Sequence, residues 1–214
     1  MKKNEEQLYN SRYFKEYYDS KERFTSYWHQ INEIIKCEPK AVLEVGVGNG
    51  FVADYLKKRG IKVTTCDIDK ALNPDIVCSV LELPFSDEQF DVVACYEVLE
   101  HIPYENVYKA INELTRVSSY KVIISVPDRS RMLSYLIQIP KMGKKYFQLS
   151  LPTLKKKYHE FDGEHHWELG KKDYPHERFK EVILKYGLII ENSYRVFEHP
   201  LHRFFVCRKK RLRQ

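Results

Sequence analysis

The sequence predicts an α/β fold: a seven-stranded, mostly parallel sheet that has helices on both faces and ends in an antiparallel hairpin. Two observations lead to this prediction. Seven short apolar runs alternate with amphipathic segments along much of the chain, which is the order of parallel strand–helix units. The last two runs are joined only by Glu198-His199-Pro200, which is too short for a crossover helix, so these two strands should pair antiparallel.

The predicted elements divide the chain into an N-terminal helical extension, residues 1–36, and a larger domain, residues 37–214. Strands are predicted over 40–46, 61–66, 75–78, 90–95, 120–126, 188–197 and 202–208. Helices are predicted over 50–59, 104–116 and 174–186, the last capped by Asp173. In the extension, Ser20 is a candidate N-cap. Six apolar residues of that helix should share one face: Phe24, Tyr27, Trp28, Ile31, Ile34 and Ile35.

Composition favours a soluble protein of the reducing cytoplasm. The chain has 214 residues, 43% hydrophobic and 31% charged, with a net charge of +6. No apolar run approaches the ~20 residues that span a bilayer, so we expect no membrane span, and no signal peptide is predicted. The five cysteines are scattered, without the paired spacing of a metal site or a disulfide framework.

A glycine-rich turn after the first strand is the most informative motif. Gly46, Gly48 and Gly50 follow the apolar run Ala41-Val42-Leu43, and an amphipathic segment follows them. Glycine permits positive φ and close approach of a ligand to the backbone. About twenty residues further on, Asp67 ends the second strand, where a carboxylate can accept hydrogen bonds from the hydroxyls of an unphosphorylated ribose. The pattern predicts a nucleotide-type site, with a turn or capping role as the alternative for Asp67.

Four segments, in this order and at these spacings, resemble the class I S-adenosylmethionine-dependent methyltransferases, especially the type-11 methyltransferase-domain group. They are residues 42–50, residues 66–69, Leu83-Pro84-Phe85 with Phe90-Asp91-Val92-Val93, and residues 97–102. The resemblance is strong over about 38–127 and extends to 208 through topology. It implies a Rossmann-like fold, S-adenosylmethionine as cofactor and S-adenosylhomocysteine as product. The aromatic insertion on the substrate side favours a small-molecule or biosynthetic-intermediate acceptor.

The resemblance also implies roles for individual residues. Glu44, Gly46 and Gly48 would hold the methionine end of the cofactor, and Asp67 the ribose. Ser79 stands where the family often has an Asp, so no carboxylate is available there for the adenine amine. The other cofactor-binding residues implied are Gly50, Ile68 and Val80, together with the carbonyls of Cys95 and Tyr96.

His101 is the candidate catalytic residue, because it follows the fourth strand at the mouth of the expected pocket and imidazoles titrate near neutral pH. A base is needed only for an acceptor that must lose a proton. The alternative is a histidine that organises the turn. Glu97 or Glu100 would either orient His101 or neutralise the sulfonium of the cofactor, and solvated carboxylates at a helix start are the alternative.

The insertion at about 128–172 is interpreted as a substrate-side lid, and a packed insertion without ligand contact is the alternative. Its apolar run Met132 to Ile137 predicts a helix that covers the site. The cluster around His165-His166 raises the question of a metal ion. We expect none, because no metal-ligand spacing is present and adjacent histidines of an extended chain point in opposite directions.

Other functions stay open at this stage. The basic stretch 141–157, with aromatic residues among its lysines, and the basic C-terminal tail are compatible with an RNA or protein methyltransferase, so nucleic acid is an alternative partner that we do not favour. A non-catalytic cofactor-binding scaffold is a further alternative. A nicotinamide oxidoreductase is disfavoured by the glycine spacing. The sequence does not distinguish a monomer from a homodimer.

Overall fold

The computed structural model of the chain describes residues 18–153 and 155–210. The strands are β1 (Ala41–Val45), β2 (Lys62–Asp67), β3 (Ile76–Val77), β4 (Phe90–Tyr96), β5 (Ser118–Pro127), β6 (Met132–Ile139), β7 (Gly143–Ser150), β8 (Leu188–Arg195) and β9 (His202–Lys209). The α-helices are α1 (Lys21–Ile35), α2 (Phe51–Lys58), α3 (Val107–Val117) and α4 (His176–Lys185). Short 3₁₀ helices span Lys70–Leu72, Leu99–His101 and Tyr104–Asn106.

One seven-stranded sheet organises the fold, in the order β3-β2-β1-β4-β5-β9-β8. The β3-β2-β1-β4-β5 part is parallel throughout. Strand β9 pairs antiparallel with both β5 and β8, so the terminal hairpin inserts its second strand beside β5. The predicted mostly parallel sheet with an antiparallel terminal hairpin is therefore confirmed. The carboxyl ends of β1, β2 and β4 meet at one edge of the sheet, where ligand sites of such folds form.

Helices cover both faces of the sheet, as predicted. On one face, α3 and α4 contribute Ile111, Leu114, Phe179 and Ile183 to an apolar cluster with the sheet. On the other face, α1 and α2 bury six side chains against the sheet: Tyr27, Ile31, Ile34, Val52, Ala53 and Leu56. Burial of apolar area on both faces is the main stabilising contribution to such a layered fold.

The first helix differs in part from its prediction. Ser20 is its N-cap, and the Ser20 hydroxyl accepts a hydrogen bond from the Arg23 N–H at 3.2 Å. However, Phe24 and Trp28 are 44% and 58% exposed, so the predicted six-residue buried face was too wide. The buried stripe follows the i, i+4, i+7 spacing of Tyr27, Ile31 and Ile34. Residues 1–17 of the predicted extension lie outside the described residues.

The insertion contains a β-hairpin where a helix was predicted. Strands β6 and β7 pair antiparallel over their full length and form a separate two-stranded sheet. Lys141 and Gly143 in the connecting turn have positive φ, which fits a hairpin turn rather than a helix. The prediction of a covering helix over Met132 to Ile137 was therefore wrong. The α4 prediction was correct in type, but its N-cap is Pro175 rather than Asp173.

Candidate active site

A cavity of about 1000 Å³ opens at the carboxyl edge of the parallel strands. This volume is at the upper end of the range for small-molecule sites and leaves room for two ligands side by side. Most of the predicted site residues line the cavity, namely Glu44, Gly46, Gly48, Asp67, Ile68, Ser79, Val80, Tyr96 and His101. Gly50 and Cys95 do not: Gly50 is the left-handed N-cap of α2, and Cys95 is buried within β4.

The glycine turn requires glycine for two physical reasons. Gly46, Gly48 and Gly50 all have positive φ, at 85°, 53° and 76°. A Cβ added to Gly46 would lie 2.2 Å from Cγ2 of Val98, so the backbone of the turn packs directly against the segment after β4. The turn is therefore close-packed on one side and opens to the cavity on the other.

Asp67 ties this turn to the end of β2. Its Oδ2 accepts a hydrogen bond from the Val47 N–H at 2.9 Å, and its Oδ1 accepts one from the Asp69 N–H at 2.9 Å. Each carboxylate oxygen has a second lone pair that can accept from a ligand hydroxyl. The predicted turn role of Asp67 and a ligand role are thus compatible in one side chain.

A flat apolar surface lies next to Asp67. Ile68 lines the cavity and is 76% exposed, an unusual degree of exposure for a large aliphatic side chain. Val80 closes the floor at 5% exposure, and the Ser79 hydroxyl accepts a hydrogen bond from the Leu81 N–H at 3.2 Å. This part of the cavity therefore offers an apolar side chain, Ile68, beside the Asp67 carboxylate.

Two carboxylates that line the same cavity each have one buried oxygen without a hydrogen-bond partner among the described residues. Glu44 in β1 is 3% exposed, and its Oε2 has no hydrogen-bond partner within the described residues. Burial raises the pKa of Glu44 to about 8. Glu97 follows β4 with a positive φ of 53°, its Oε1 is likewise unpartnered, and burial raises its pKa to about 7. Carboxylates in this situation favour a cationic ligand.

Glu100, His101 and His165 converge on another part of the cavity wall. One candidate ligand atom from each side chain lies within 4.8 Å of those of the other two. Glu100 is 1% exposed, neither of its carboxylate oxygens has a partner within the described residues, and burial raises its pKa well above the usual value. The rings of His101 and His165 stack edge to face at 5.1 Å.

The Glu97 carboxylate belongs to a buried network that the sequence analysis missed. Its Oε2 lies 3.5 Å from Nε2 of His202, and the other ring nitrogen of His202 lies 2.7 Å from the Ser26 hydroxyl of α1. Burial lowers the pKa of His202 well below its usual value. His202 is the first residue of β9, and no local motif marks it.

The insertion reaches the cavity with three residues, Arg129, Glu164 and His165. The β6–β7 hairpin does not line it. The segment that follows is anchored by Trp167, which is fully buried and donates its indole N–H to the Leu99 carbonyl at 3.0 Å. The hairpin therefore does not form the predicted cover, whereas the segment around His165 packs against the site.

Residues 43–124 match the model of a family described as a methyltransferase domain. The matched range holds most of the predicted residues that line the cavity. The predicted resemblance to the type-11 methyltransferase-domain group is therefore confirmed over this range, and the seven-stranded sheet confirms the predicted fold class.

Curated relatives carry a more particular name. Ubiquinone biosynthesis O-methyltransferase from Alkalilimnicola ehrlichii is 32% identical over 147 residues, which cover 61% of this chain and 54% of that protein. The protein of the same name from Rickettsia bellii is 32% identical over 133 residues, covering 55% and 52%. The chain spans about half the length of the curated relatives it matches.

Solved structures share the fold at low sequence identity. Burkholderia thailandensis 1,6-didemethyltoxoflavin-N1-methyltransferase, solved with S-adenosylhomocysteine, is 16% identical with a TM-score of 0.60, covering 87% of this chain and 80% of that one. Magnesium protoporphyrin IX methyltransferase from Synechocystis PCC 6803, also solved with this product, is 12% identical with a TM-score of 0.61, covering 97% and 94%.

Proposed function

We propose that this protein is an S-adenosylmethionine-dependent methyltransferase that acts on a small-molecule or biosynthetic-intermediate acceptor. One observation carries the proposal. The glycine turn, Asp67 and His101 all lie within residues 43–124, which match the family, and all of them line one cavity of about 1000 Å³. A cavity of that size can take a nucleoside cofactor together with a second small molecule.

The residues present fit this cofactor. The unpartnered oxygens of Glu44 and Glu97 suit a ligand that carries a sulfonium and an ammonium group. Asp67 has lone pairs for ribose hydroxyls, and the exposed face of Ile68 suits an adenine ring. The open side of the Gly46–Gly48 turn lets a ligand approach the backbone closely.

The cofactor, when bound, would supply a methyl group activated by a sulfonium: a bond from the acceptor to the methyl carbon would form as the C–S bond breaks, and S-adenosylhomocysteine would leave with the electron pair. The chain's residues then have to orient both ligands and exclude water, and such positioning is worth ~7–11 kcal/mol. Tyr96 and Glu97 lie where β4 ends, between the glycine turn and His101. Glu164 and His165 of the insertion line the same cavity.

His101 is the proposed base for an acceptor that loses a proton on methylation. Its Nδ1 lies 3.1 Å from the Glu164 carbonyl oxygen. A carbonyl can only accept, so Nδ1 carries the proton and Nε2 of the neutral ring bears the lone pair that a base requires. The curated relatives are named O-methyltransferases, so hydroxylated small molecules are the first acceptors to test.

Calorimetry and product analysis test the proposal. S-adenosylmethionine and S-adenosylhomocysteine should bind with one site per chain, whereas NAD should not. Methyl-labelled cofactor should then transfer label to at least one member of a panel of hydroxylated aromatic and isoprenoid compounds. His101→Ala should lower turnover on that acceptor while leaving cofactor affinity unchanged.

Each contrary result identifies a different error. Failure of the cofactor to bind at millimolar concentration would contradict the proposal outright. Binding without transfer to any acceptor would support a cofactor-binding scaffold. Unchanged turnover in His101→Ala would remove His101 from the mechanism.

RNA methylation is a second candidate, favoured by one observation. Tyr135, Tyr146 and Phe147 of the β6–β7 hairpin are each about half exposed, and residues 129–157 contain eight basic and no acidic side chains. Exposed aromatic rings among lysines can stack on bases while the cations contact phosphates. Retention on immobilised RNA that falls steeply with salt would support this candidate, since phosphate contacts release counterions.

The cytoplasm is the proposed location. All five cysteines lie within the described residues and none forms a disulfide, which suits a reducing compartment. No helix among the described residues has the length and apolarity needed to cross a membrane.

A further inference from the structure

Glu100, His101 and His165 form the densest set of potential metal ligands on the wall of the cavity. Two of them are neighbours in the 3₁₀ helix after β4, and the third comes from the insertion more than sixty residues later. The absence of a metal-ligand spacing, and the opposite directions of adjacent histidines in an extended chain, predict no metal ion. The fold brings together residues that no local spacing connects.

The contacts of the two imidazole rings at Nδ1 suit histidines that bind a metal ion through Nε2. Nδ1 of His101 faces the Glu164 carbonyl at 3.1 Å, and Nδ1 of His165 faces Oε1 of Glu168 at 3.2 Å. Both partners accept, so both Nδ1 atoms carry protons, and in the neutral form of each ring Nε2 bears the lone pair. Metal-binding histidines have this arrangement, in which a carbonyl or carboxylate behind the ring fixes the tautomer.

The Glu100 carboxylate supplies the second, independent observation. It is 1% exposed and neither oxygen has a hydrogen-bond partner within the described residues. A buried carboxylate without a partner is costly unless a cation or a proton compensates it. Among the described residues, no Lys or Arg forms an ion pair with Glu100. In contrast, Glu168 forms ion pairs with Arg129 and Lys171.

We propose that Glu100, His101 and His165 bind one divalent transition-metal ion of the zinc type. Two imidazoles and one carboxylate are a known ligand set for zinc sites that keep an open coordination position. Ligands of a tetrahedral site at ~2.1 Å from the ion lie ~3.4 Å apart, so binding draws the three side chains together from their present separation. The open position faces the cavity.

A neighbouring group of potential ligands, Asp162, His165 and Glu168, is a weaker competitor. The Glu168 carboxylate already accepts a hydrogen bond from Arg129 at 2.8 Å. Asp162 accepts from two backbone N–H groups, those of Glu164 and His165. Both carboxylates are compensated within the protein, whereas Glu100 is not.

The metal site goes beyond the proposed methyl transfer and does not require it. If the transfer is as proposed, a hydroxyl of the acceptor could occupy the open position, where the ion would lower its pKa. In that case Nε2 of His101 would bind the ion instead of accepting a proton. The two roles exclude each other at one nitrogen, so a binding measurement separates them.

The test uses full-length protein that has been freed of metal by a chelator and dialysed. Zn²⁺ should bind with one site per chain in calorimetry, and Co²⁺ should give visible absorption bands typical of low coordination number. Glu100→Gln and His165→Ala should each lower Zn²⁺ affinity at least tenfold. His166→Ala is the matched control and should bind Zn²⁺ as the parent does, because its ring packs against Phe161 and is not in the cluster.

Asp162→Asn separates the two candidate groups. Loss of Zn²⁺ binding in this variant, with retention in Glu100→Gln, would overturn the proposal in favour of the other group. Equal Zn²⁺ binding by the parent, Glu100→Gln and His165→Ala would also overturn it, and would assign the ion to cysteines or to the surface. No binding of Zn²⁺ to the parent would likewise overturn the proposal, with a proton instead of a metal ion compensating Glu100.

Cofactor binding by the chelated protein keeps this test distinct from that of the proposed function. S-adenosylmethionine that binds with the same affinity before and after chelation, beside a specific Zn²⁺ site, supports both proposals. Zn²⁺ binding without cofactor binding contradicts only the proposed function. Circular dichroism of each variant without metal establishes that it is folded, and Glu100→Gln preserves side-chain volume.

Discussion

The backbone N–H of Val47 donates to Oδ2 of Asp67 at 2.9 Å, so the middle of the glycine turn is fixed to the end of the neighbouring strand. The same carboxylate receives the Asp69 N–H on its other oxygen. Asp67 thus shapes two loops that line the cavity, and each of its oxygens has a second lone pair. This structural role and the proposed binding role can be separated by experiment.

Asp67→Ala should weaken binding of S-adenosylmethionine by ~1–3 kcal/mol, or about 5- to 150-fold, because ribose hydroxyls would lose their acceptor. Asp91→Ala is the matched control. The Asp91 carboxylate also accepts from two backbone N–H groups, those of Lys40 and Ala41, but it does not line the cavity. Calorimetry and chemical denaturation of both variants should give similar losses of stability and a loss of affinity in Asp67→Ala alone. Equal affinities would show that the ribose lies elsewhere.

Gly46→Ala should destabilise the protein more than Gly60→Ala. Both glycines have φ above 80°, where a Cβ costs ~1–2 kcal/mol. A Cβ at Gly60 meets no atom within 4 Å, whereas at Gly46 it would lie 2.2 Å from the Val98 side chain. Overpacking adds ~1–3 kcal/mol, and the displaced turn should also bind cofactor more weakly. Denaturant titrations of the two variants measure the difference, and equal losses would mean that Val98 moves aside at little cost.

The features predicted correctly from the sequence are those with a local physical cause. Apolar runs of five to seven residues, turn glycines and a polar residue at a strand end fix the strands, the glycine turn and the position of Asp67. The three-residue link at Glu198-His199-Pro200 was enough to predict the antiparallel pairing of β8 and β9. These signals act over fewer than ten residues, so no tertiary information is needed to interpret them.

The predictions from sequence are wrong or incomplete where tertiary contacts determine the local structure or bring distant residues together. The apolar residues of the run Met132 to Ile137 fit both the helical and the strand period. The run forms a strand because it pairs with β7. The turn at Lys141 and Gly143 was the available signal for a hairpin. The convergence of Glu100 with His165 joins segments 65 positions apart, and the His202–Ser26 hydrogen bond joins segments 176 positions apart. No sequence motif connects residues with such separations along the chain.

Asp128→Ala should cost ~3–5 kcal/mol of unfolding free energy, as expected when one partner of a buried ionic group is removed. Asp128 is fully buried at the end of β5, and its Oδ2 accepts from Nε of Arg203 at 2.6 Å and from Nε2 of His176 at 2.8 Å. Burial raises the pKa of Asp128, but the hydrogen bonds from His176 and Arg203 outweigh burial and hold it well below its usual range.

The sign of the pH dependence follows from this lowered pKa. The folded protein keeps Asp128 ionised, so its stabilising contribution is complete above the unfolded pKa near 4 and is lost as the pH falls below it. Chemical denaturation at pH 3 and pH 7 should therefore show a smaller difference between parent and Asp128→Ala at the lower pH. Asp87→Ala, which removes a 75% exposed partner of Arg116, should cost less than ~1 kcal/mol. A comparable loss in both variants would contradict the special role of Asp128.

Glu44 should give the opposite pH dependence. Burial raises its pKa from 4.5 to about 8, so between these values an unfolded chain releases a proton that the folded protein retains. Stability is therefore lost as the pH rises through this interval. Glu44→Gln abolishes this effect and should become more stable than the parent as the pH increases from 5 to 8, by about 4 kcal/mol at most. Glu113→Gln provides a control of opposite sign, because a hydrogen bond from Arg116 lowers the pKa of Glu113.

The cofactor should reverse this behaviour of Glu44 if its cationic end lies beside the unpartnered Oε2. A positive charge favours the carboxylate form, so binding at pH 7 should release a proton that the parent otherwise holds. Calorimetry in two buffers of different ionisation enthalpy measures that proton directly. Glu44→Gln should bind the cofactor more weakly and without the release assigned to Glu44. Release of the same proton by parent and variant would mean that the cation lies beside another group. Glu97 would then be the first candidate, because it too has a buried oxygen without a partner among the described residues.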